Sequence, residues 1–175
     1  LADWMVLAVL LVIVLVAMRE IGWLDPARGR FIAIDGDSLR KDGQEYRLHA
    51  IDAPELSQTC QKASGKLYPC GREARDALRR LVTGRDLSCR IVDTDRYRRL
   101  VADCAVGALD INDEMVRRGW AVAYIAHGSD YRVAEAEARA ARRGIWEGPF
   151  EQPEHWRARH RAVTRSDMAG DLPPD

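Results

Sequence analysis

The chain of 175 residues is 47% hydrophobic and 31% charged, which suits one globular domain with short appendages and excludes two large domains. Lys plus Arg and Asp plus Glu balance at 27 each, so no global positive field marks the chain as a polyanion binder. The basic residues are nearly all Arg, with Lys41, Lys62 and Lys66 the exceptions, and a guanidinium fork suits bidentate phosphate contacts.

Trp4 to Met18 is an unbroken apolar run without charge, Gly or Pro, and it leads into Arg19-Glu20 with no small-residue cleavage pattern. On a helix Trp4 and Trp23 would stand about 28 Å apart, near one hydrocarbon thickness and at aromatic-belt positions. Residues 1–25 are therefore read as an N-terminal transmembrane anchor or uncleaved signal. A linker through Pro26 leads into a domain expected over 26–148, and the polar stretch 149–175 is read as a disordered tail.

Within the domain, Phe31 to Ile34, Ser38 to Arg40 and Tyr46 to Ile51 are strand-like runs separated by Asp35-Gly36 and Asp42-Gly43, dipeptides that supply positive φ in tight hairpins. Ala74, Ala77, Leu78 and Leu81 recur at helical spacing, and Gly84 closes that helix. Leu87 to Val92 and Leu100 to Val106 form a second expected hairpin. A short helix follows from an Asn112 cap to Gly119, and a third runs from Tyr131 to Arg143. Five short strands with a helix after the third fit an α+β domain, a five-stranded OB-type β-barrel with three helices, although periodicity alone leaves a sandwich or another small α+β fold open.

Three carboxylates, Asp37, Asp52 and Glu55, fall near turns of the first sheet. In Ile51-Asp52-Ala53-Pro54-Glu55, Pro54 ends the strand and holds Ala53 extended, so both acids and a main-chain carbonyl can aim at one point. Oxygen donors without His or Cys suit Ca²⁺ or Mg²⁺, with water and substrate phosphate completing the shell. Arg47 and Arg99 supply complementary charge. His49, His127, His155 and His160 show no metal-ligand spacing, and no nucleophile elbow surrounds Ser38.

Taken in order, Ile34-Asp35-Gly36-Asp37-Ser38, Tyr46-Arg47-Leu48, Ile51-Asp52-Ala53-Pro54-Glu55, Asp95-Arg96-Tyr97-Arg98-Arg99, Asn112 to Ala121 and Gly144-Ile145-Trp146 resemble the staphylococcal-nuclease (thermonuclease) family over about residues 30 to 147. The resemblance implies a Ca²⁺-dependent, sugar-nonspecific endonuclease that hydrolyses phosphodiesters of DNA and RNA to leave 3′-phosphates. It implies Asp37, Asp52 and the carbonyl of Ala53 as metal ligands, Glu55 as the acid that orients or deprotonates water, and Arg47 and Arg99 as the phosphate-binding pair. Arg96, Tyr97 and Tyr124 match substrate-binding positions. Arg98 stands where the family has Gly, and Ala126 where it has a second tyrosine. The alternative is an SNase-like nucleic-acid or protein-binding module, and a further reading gives the tail arginines Arg157, Arg159 and Arg161 a partner or anionic lipid.

The four cysteines complete the reading. A hairpin turning at Arg96-Tyr97 sets Cys89 opposite Cys104, within disulfide reach, and leaves Cys60 to pair with Cys70. Two disulfides imply an oxidising compartment, so the expectation is a membrane-anchored domain facing the periplasm or cell exterior, monomeric and without a protein partner.

Overall fold

The computed structural model describes residues 2–20, 26–124 and 131–170, with side chains over 4–17, 26–124 and 131–161. Helix α1 spans Ala2–Glu20 and is exposed throughout Trp4 to Ala17. Among the described residues, however, no helix is long and apolar enough to cross a membrane. The uncharged stretch between Asp3 and Arg19 rises only about 22 Å on a helix, short of a hydrocarbon core of about 30 Å. The expected spanning helix is not shown among the described residues, and Trp23 lies outside them.

The domain begins with β1 (Ala27–Gly29) and β2 (Ile32–Ala33), followed by β3 (Ser38–Lys41), β4 (Gln44–Leu48) and β5 (Ile51–Asp52). Asp42-Gly43 turns β3 into β4 with both residues at positive φ, as that dipeptide demands. The expected strand Tyr46 to Ile51 divides because Ala50 takes φ +58 and turns β5 out of the sheet. Asp35-Gly36 also turns a hairpin, β2 onto β3 with the Ile34 N–H donating to the Ser38 carbonyl at 3.0 Å, but without the expected positive φ. Gly36 is needed for room rather than positive φ: a Cβ there would meet the Ala53 and Ala74 Cβ atoms at 2.7 and 2.8 Å.

A two-stranded ribbon, β6 (Cys60–Gln61) and β7 (Leu67–Tyr68), precedes α2 (Cys70–Val82). Helix α2 buries Ala74, Ala77, Leu78 and Leu81, the stripe visible in the sequence. The long hairpin β8 (Leu87–Thr94) and β9 (Leu100–Val106) follows, with Cys89 opposite Cys104 and a bulge between Ile91 and Asp93. Then come β10 (Leu109–Asp110), α3 (Ile111–Arg117), β11 (Val122–Ala123) and α4 (Arg132–Ala140). Asp110, not Asn112, caps α3, accepting the Asp113 N–H at 3.0 Å. Asn112 is instead fully buried, accepting from Cys104 N–H and donating to the His49 and Ala102 carbonyls.

The strands join as β1-β8-β9-β4-β3-β2, with β10 on β9 and, among the described residues, parallel pairing only between β4 and β9. The α+β class and three domain helices agree with expectation. The closed five-stranded barrel is replaced by a seven-stranded curled half-barrel, whose end strands β1 and β2 do not pair among the described residues. Leu39 and Leu48 of the sheet share one core cluster with Leu78 and Leu81 of α2 and Ile111 and Met115 of α3, each worth about 1.5 to 3 kcal/mol on burial.

A second, smaller cluster gathers Tyr68, Val122 and Ile145 around the Cys60–Cys70 disulfide, with Trp146 and Phe150 against it. This cluster holds the chain as it leaves a 3₁₀ turn at Gly144–Glu147 and enters α5 (Pro153–Gly170). The tail read as disordered is thus helical from Pro153 to Gly170; its polar composition concealed ion pairs with distant elements.

Candidate active site

Adjacent strands bring Asp37 and Arg47 together, because β3 pairs with β4 and places Ser38 opposite Arg47. Arg47 Nη1 donates to Asp37 Oδ1 at 3.1 Å, and its Nη2 reaches Asp52 Oδ1 at 2.8 Å on β5. Asp37 also accepts the Ser38 hydroxyl and the Ala53 N–H, each at 3.1 Å. Asp37 and Asp52 are 4% and 1% exposed, so this is a buried charge cluster in which each ion needs its partner.

The balance of charge in that cluster is uneven. Asp35, which accepts the Asp37 N–H at 3.0 Å, has its carboxyl pushed up to about 7 by burial and by the neighbouring Asp37 charge. Asp52 is likewise raised by burial, against the pull of Arg157 and Arg47. The charge of Asp37 holds the Arg47 guanidinium firmly protonated. Crowded carboxylates with an acid forced toward its neutral form are what a bound cation relieves, and an all-oxygen donor set fits a hard divalent ion. Among the described residues no three acids converge in ready metal-binding geometry, since guanidiniums lie between the carboxylates.

Glu55 is placed by its turn. Pro54 ends β5, and a Cβ on Gly71 would stand 1.7 Å from the Glu55 carbonyl oxygen, so the turn rests directly on the backbone of α2. Gln58, fully buried, accepts the Glu55 N–H at 3.2 Å and donates to the Glu151 carbonyl at 2.7 Å.

These groups open onto a cleft of about 1200 Å³. Arg47, Asp52 and Glu55 line it, and Arg96, Tyr97, Arg99 and Tyr124 complete the wall. Arg99 reaches it because β9 runs beside β4 and the Asp95 loop is tightly bound: Asp95 accepts the Arg99 and Tyr97 N–H groups at 2.9 Å and Arg99 Nε at 2.7 Å. Burial pushes Asp95 up, but these donors outweigh it and leave its carboxyl lowered. Arg98 adopts φ +66, the left-handed conformation that a glycine would take freely.

Every expected side chain except Asp37 therefore faces one cleft, and Asp37 joins it through Arg47. Ala53 enters the cluster by its N–H. Ala126 lies outside the described residues. Ser38 and His49 form no triad: Ser38 donates to Asp37, and His49 pairs with Asp103 at 2.9 Å. Both expected disulfides form, with Cα separations of 5.5 Å for Cys60–Cys70 and 4.0 Å for Cys89–Cys104.

Four participants escaped sequence reasoning: Asp35, Gln58, Gly71 and Arg157. Asp35 carried a signal, lying two residues before Asp37 in the same turn. Arg157 carried none. It comes from α5, and its Nη1 donates to Asp52 Oδ1 and Glu55 Oε1 while Nη2 donates to Asp52 Oδ2, all at 2.9 Å. The tail arginines read as lipid or partner contacts are thus partly spent within the molecule, since Arg159 also pairs with Glu151 at 2.6 Å.

A curled half-barrel whose cleft combines a buried aspartate, a turn glutamate and arginines from β4 and the β8–β9 loop points to a nuclease-type domain. The chain belongs to the staphylococcal nuclease homologue family, whose model matches residues 45–148. Members of this family are nucleases that use a metal ion. The chain is 33% identical over 144 residues to the succinoglycan biosynthesis protein ExoI of Rhizobium meliloti, covering 81% of this chain and 74% of that protein. It is 33% identical over 137 residues to a probable staphylococcal-like nuclease of rice, covering 77% of this chain and 34% of the relative. A probable endonuclease of Schizophyllum commune is 28% identical over 144 residues, 72% of this chain and 48% of that protein. The chain thus spans only a third to a half of these two nuclease relatives.

Proposed function

We propose that this chain is a Ca²⁺-dependent endonuclease that hydrolyses phosphodiester bonds in DNA and RNA and leaves 3′-phosphates. The observation that carries the reading is the meeting of Asp52, Glu55, Arg47 and Arg99 on one cleft, with Asp37 tied in behind Arg47. Asp37, Asp52 and the Ala53 carbonyl are the oxygens that would hold the ion, which when bound polarises the phosphate and offsets its charge. Glu55, half-exposed at the cleft, orients a water and accepts its proton as the oxygen attacks phosphorus. Arg47 and Arg99 neutralise the charge that builds on the phosphoryl oxygens. The bond to the 5′-oxygen breaks, so one fragment ends in a 3′-phosphate and the other in a 5′-hydroxyl. Arg96, Tyr97 and Tyr124 offer the flanking nucleotides a cation and two ring faces.

Digestion of plasmid DNA and RNA by the full chain, with Ca²⁺ or with chelator, tests this. Cleavage in Ca²⁺ alone is expected, with 5′ ends that polynucleotide kinase labels without prior dephosphorylation. Glu55→Ala is expected to lower the rate about 10²-fold or more. Undiminished cleavage in chelator, or full activity of Glu55→Ala, would refute the mechanism. Retention of tight nucleic-acid binding without any cleavage would favour the alternative, a binding module.

The two disulfides support placement in an oxidising compartment, periplasmic or extracellular. The exposed apolar surface of α1 supports attachment of that domain to a membrane.

A further inference from the structure

Helix α5 begins after the last residue that the family model matches, yet it enters the cleft. Its approach is built rather than incidental. Gln61 N–H donates to the Pro149 carbonyl at 3.1 Å and Gln58 Nε2 to the Glu151 carbonyl at 2.7 Å, which stitches the chain before α5 to the loop that carries Glu55. Pro153 is buried at the first helical position, where its missing N–H costs nothing. One turn later Arg157 reaches Asp52 and Glu55 with three hydrogen bonds.

We propose that Arg157 is the resident counter-ion of the cation site, and that a divalent cation must displace it from Asp52 and Glu55 in order to load. The inference rests on the cation-dependent reading above. Asp52 Oδ1 already accepts from both Arg47 and Arg157, and Oδ2 accepts from Arg157, so both oxygens of a proposed metal ligand are engaged by guanidinium. A carboxylate oxygen that faces a guanidinium at 2.9 Å cannot present the same lone pair to a metal ion. Charge works in the same direction. A unit positive charge held in a half-buried cleft repels an incoming divalent ion far more strongly than it would in water.

The device has a selective consequence. Without a cation, Arg157 engages both oxygens of the ligand Asp52 and one of the base Glu55 within the cleft, so the site is blocked at low metal concentration. When a cation takes Asp52, the released guanidinium remains on the wall of a cleft that accepts phosphate. Helix α5 thereby sets the metal concentration at which the site opens.

Calorimetric titration of the full chain with Ca²⁺ alone, in the absence of nucleic acid, tests the proposal. Arg157→Ala and Arg157→Gln are expected to lower the Ca²⁺ dissociation constant about tenfold or more, and Arg157→Lys, which keeps the charge, is expected to retain part of the antagonism. Helix content by circular dichroism accompanies each variant, and the Gln variant preserves side-chain bulk if Ala loosens α5. Unchanged or weaker Ca²⁺ binding in both neutral variants overturns the proposal. Adding Asp52→Asn to Arg157→Gln separates the two levels: loss of Ca²⁺ binding locates the ion on Asp52, whereas persistence removes the cation-site reading and this inference with it.

Discussion

Replacement of Gly71 by Ala should damage catalysis through geometry alone, without touching a charged group. A Cβ at this position would lie 1.7 Å from the Glu55 carbonyl oxygen, 2.5 Å from its carbonyl carbon and 3.0 Å from Leu56 Cα. All three atoms are backbone, so no side chain can swing aside. The Glu55 carbonyl must retreat to roughly 3.0 Å, a movement of about 1.3 Å, and misplacement on that scale costs about 10² in rate. Helix α2 cannot yield instead, because Cys70 beside Gly71 is bonded to Cys60 and buried. Overpacking of this kind lowers stability by about 1 to 3 kcal/mol. Gly84→Ala is the control: Gly84 has φ +74 with nothing within 4 Å, so Ala there costs about 1 to 2 kcal/mol of strain and leaves the cleft alone. Cleavage rates and chemical denaturation of both variants decide the matter. If Gly71→Ala cleaves at the wild-type rate, or if Gly84→Ala loses rate to the same degree, the backbone of α2 does not position Glu55.

Three further outcomes are expected. Arg47→Ala and Arg99→Ala should each lower the cleavage rate by on the order of 10²-fold, whereas Arg98→Gly should raise stability by about 1 to 2 kcal/mol by relieving its left-handed backbone, with the rate retained; a loss of rate in Arg98→Gly equal to that in Arg99→Ala would show the loop to be misread. Asp35 has a folded-state pKa of about 7 against an ordinary 3.8, so the folded chain holds a proton that the unfolded chain releases, and its contribution to stability is lost as pH rises across that window. Melting in chelator between pH 4 and 8 should therefore show a fall that Asp35→Asn flattens, and an identical slope in that variant would contradict the shift. Nonreducing peptide mapping should recover Cys60 with Cys70 and Cys89 with Cys104, and four free thiols in native protein would remove the argument for an oxidising compartment.

What the sequence determined by itself is local. The Asp42-Gly43 turn, the apolar stripe of α2 and the Cys89–Cys104 pairing follow from dihedral preference, helical period and strand register, which act between near neighbours. The acids of the Asp35-Gly36-Asp37 turn and of Ile51 to Glu55 were legible for the same reason, since each short segment aims its own side chains. Only the tertiary structure decided how these segments meet. Parallel pairing of β4 with β9 carries Arg99 to the cleft, and no pattern within either strand announces it. Gly36 reads as a turn residue and Gly71 draws no reading from the sequence, yet both are required by the space another element occupies. Arg157 and Gln58 illustrate the limit most clearly: Arg157 meets Asp52 across 105 positions and Gln58 meets Glu151 across 93. Contacts of that range have no period in the chain. A polar helix whose counter-charges lie on a distant strand reads as a solvated tail, because composition records how many charges a segment carries and not where their partners stand.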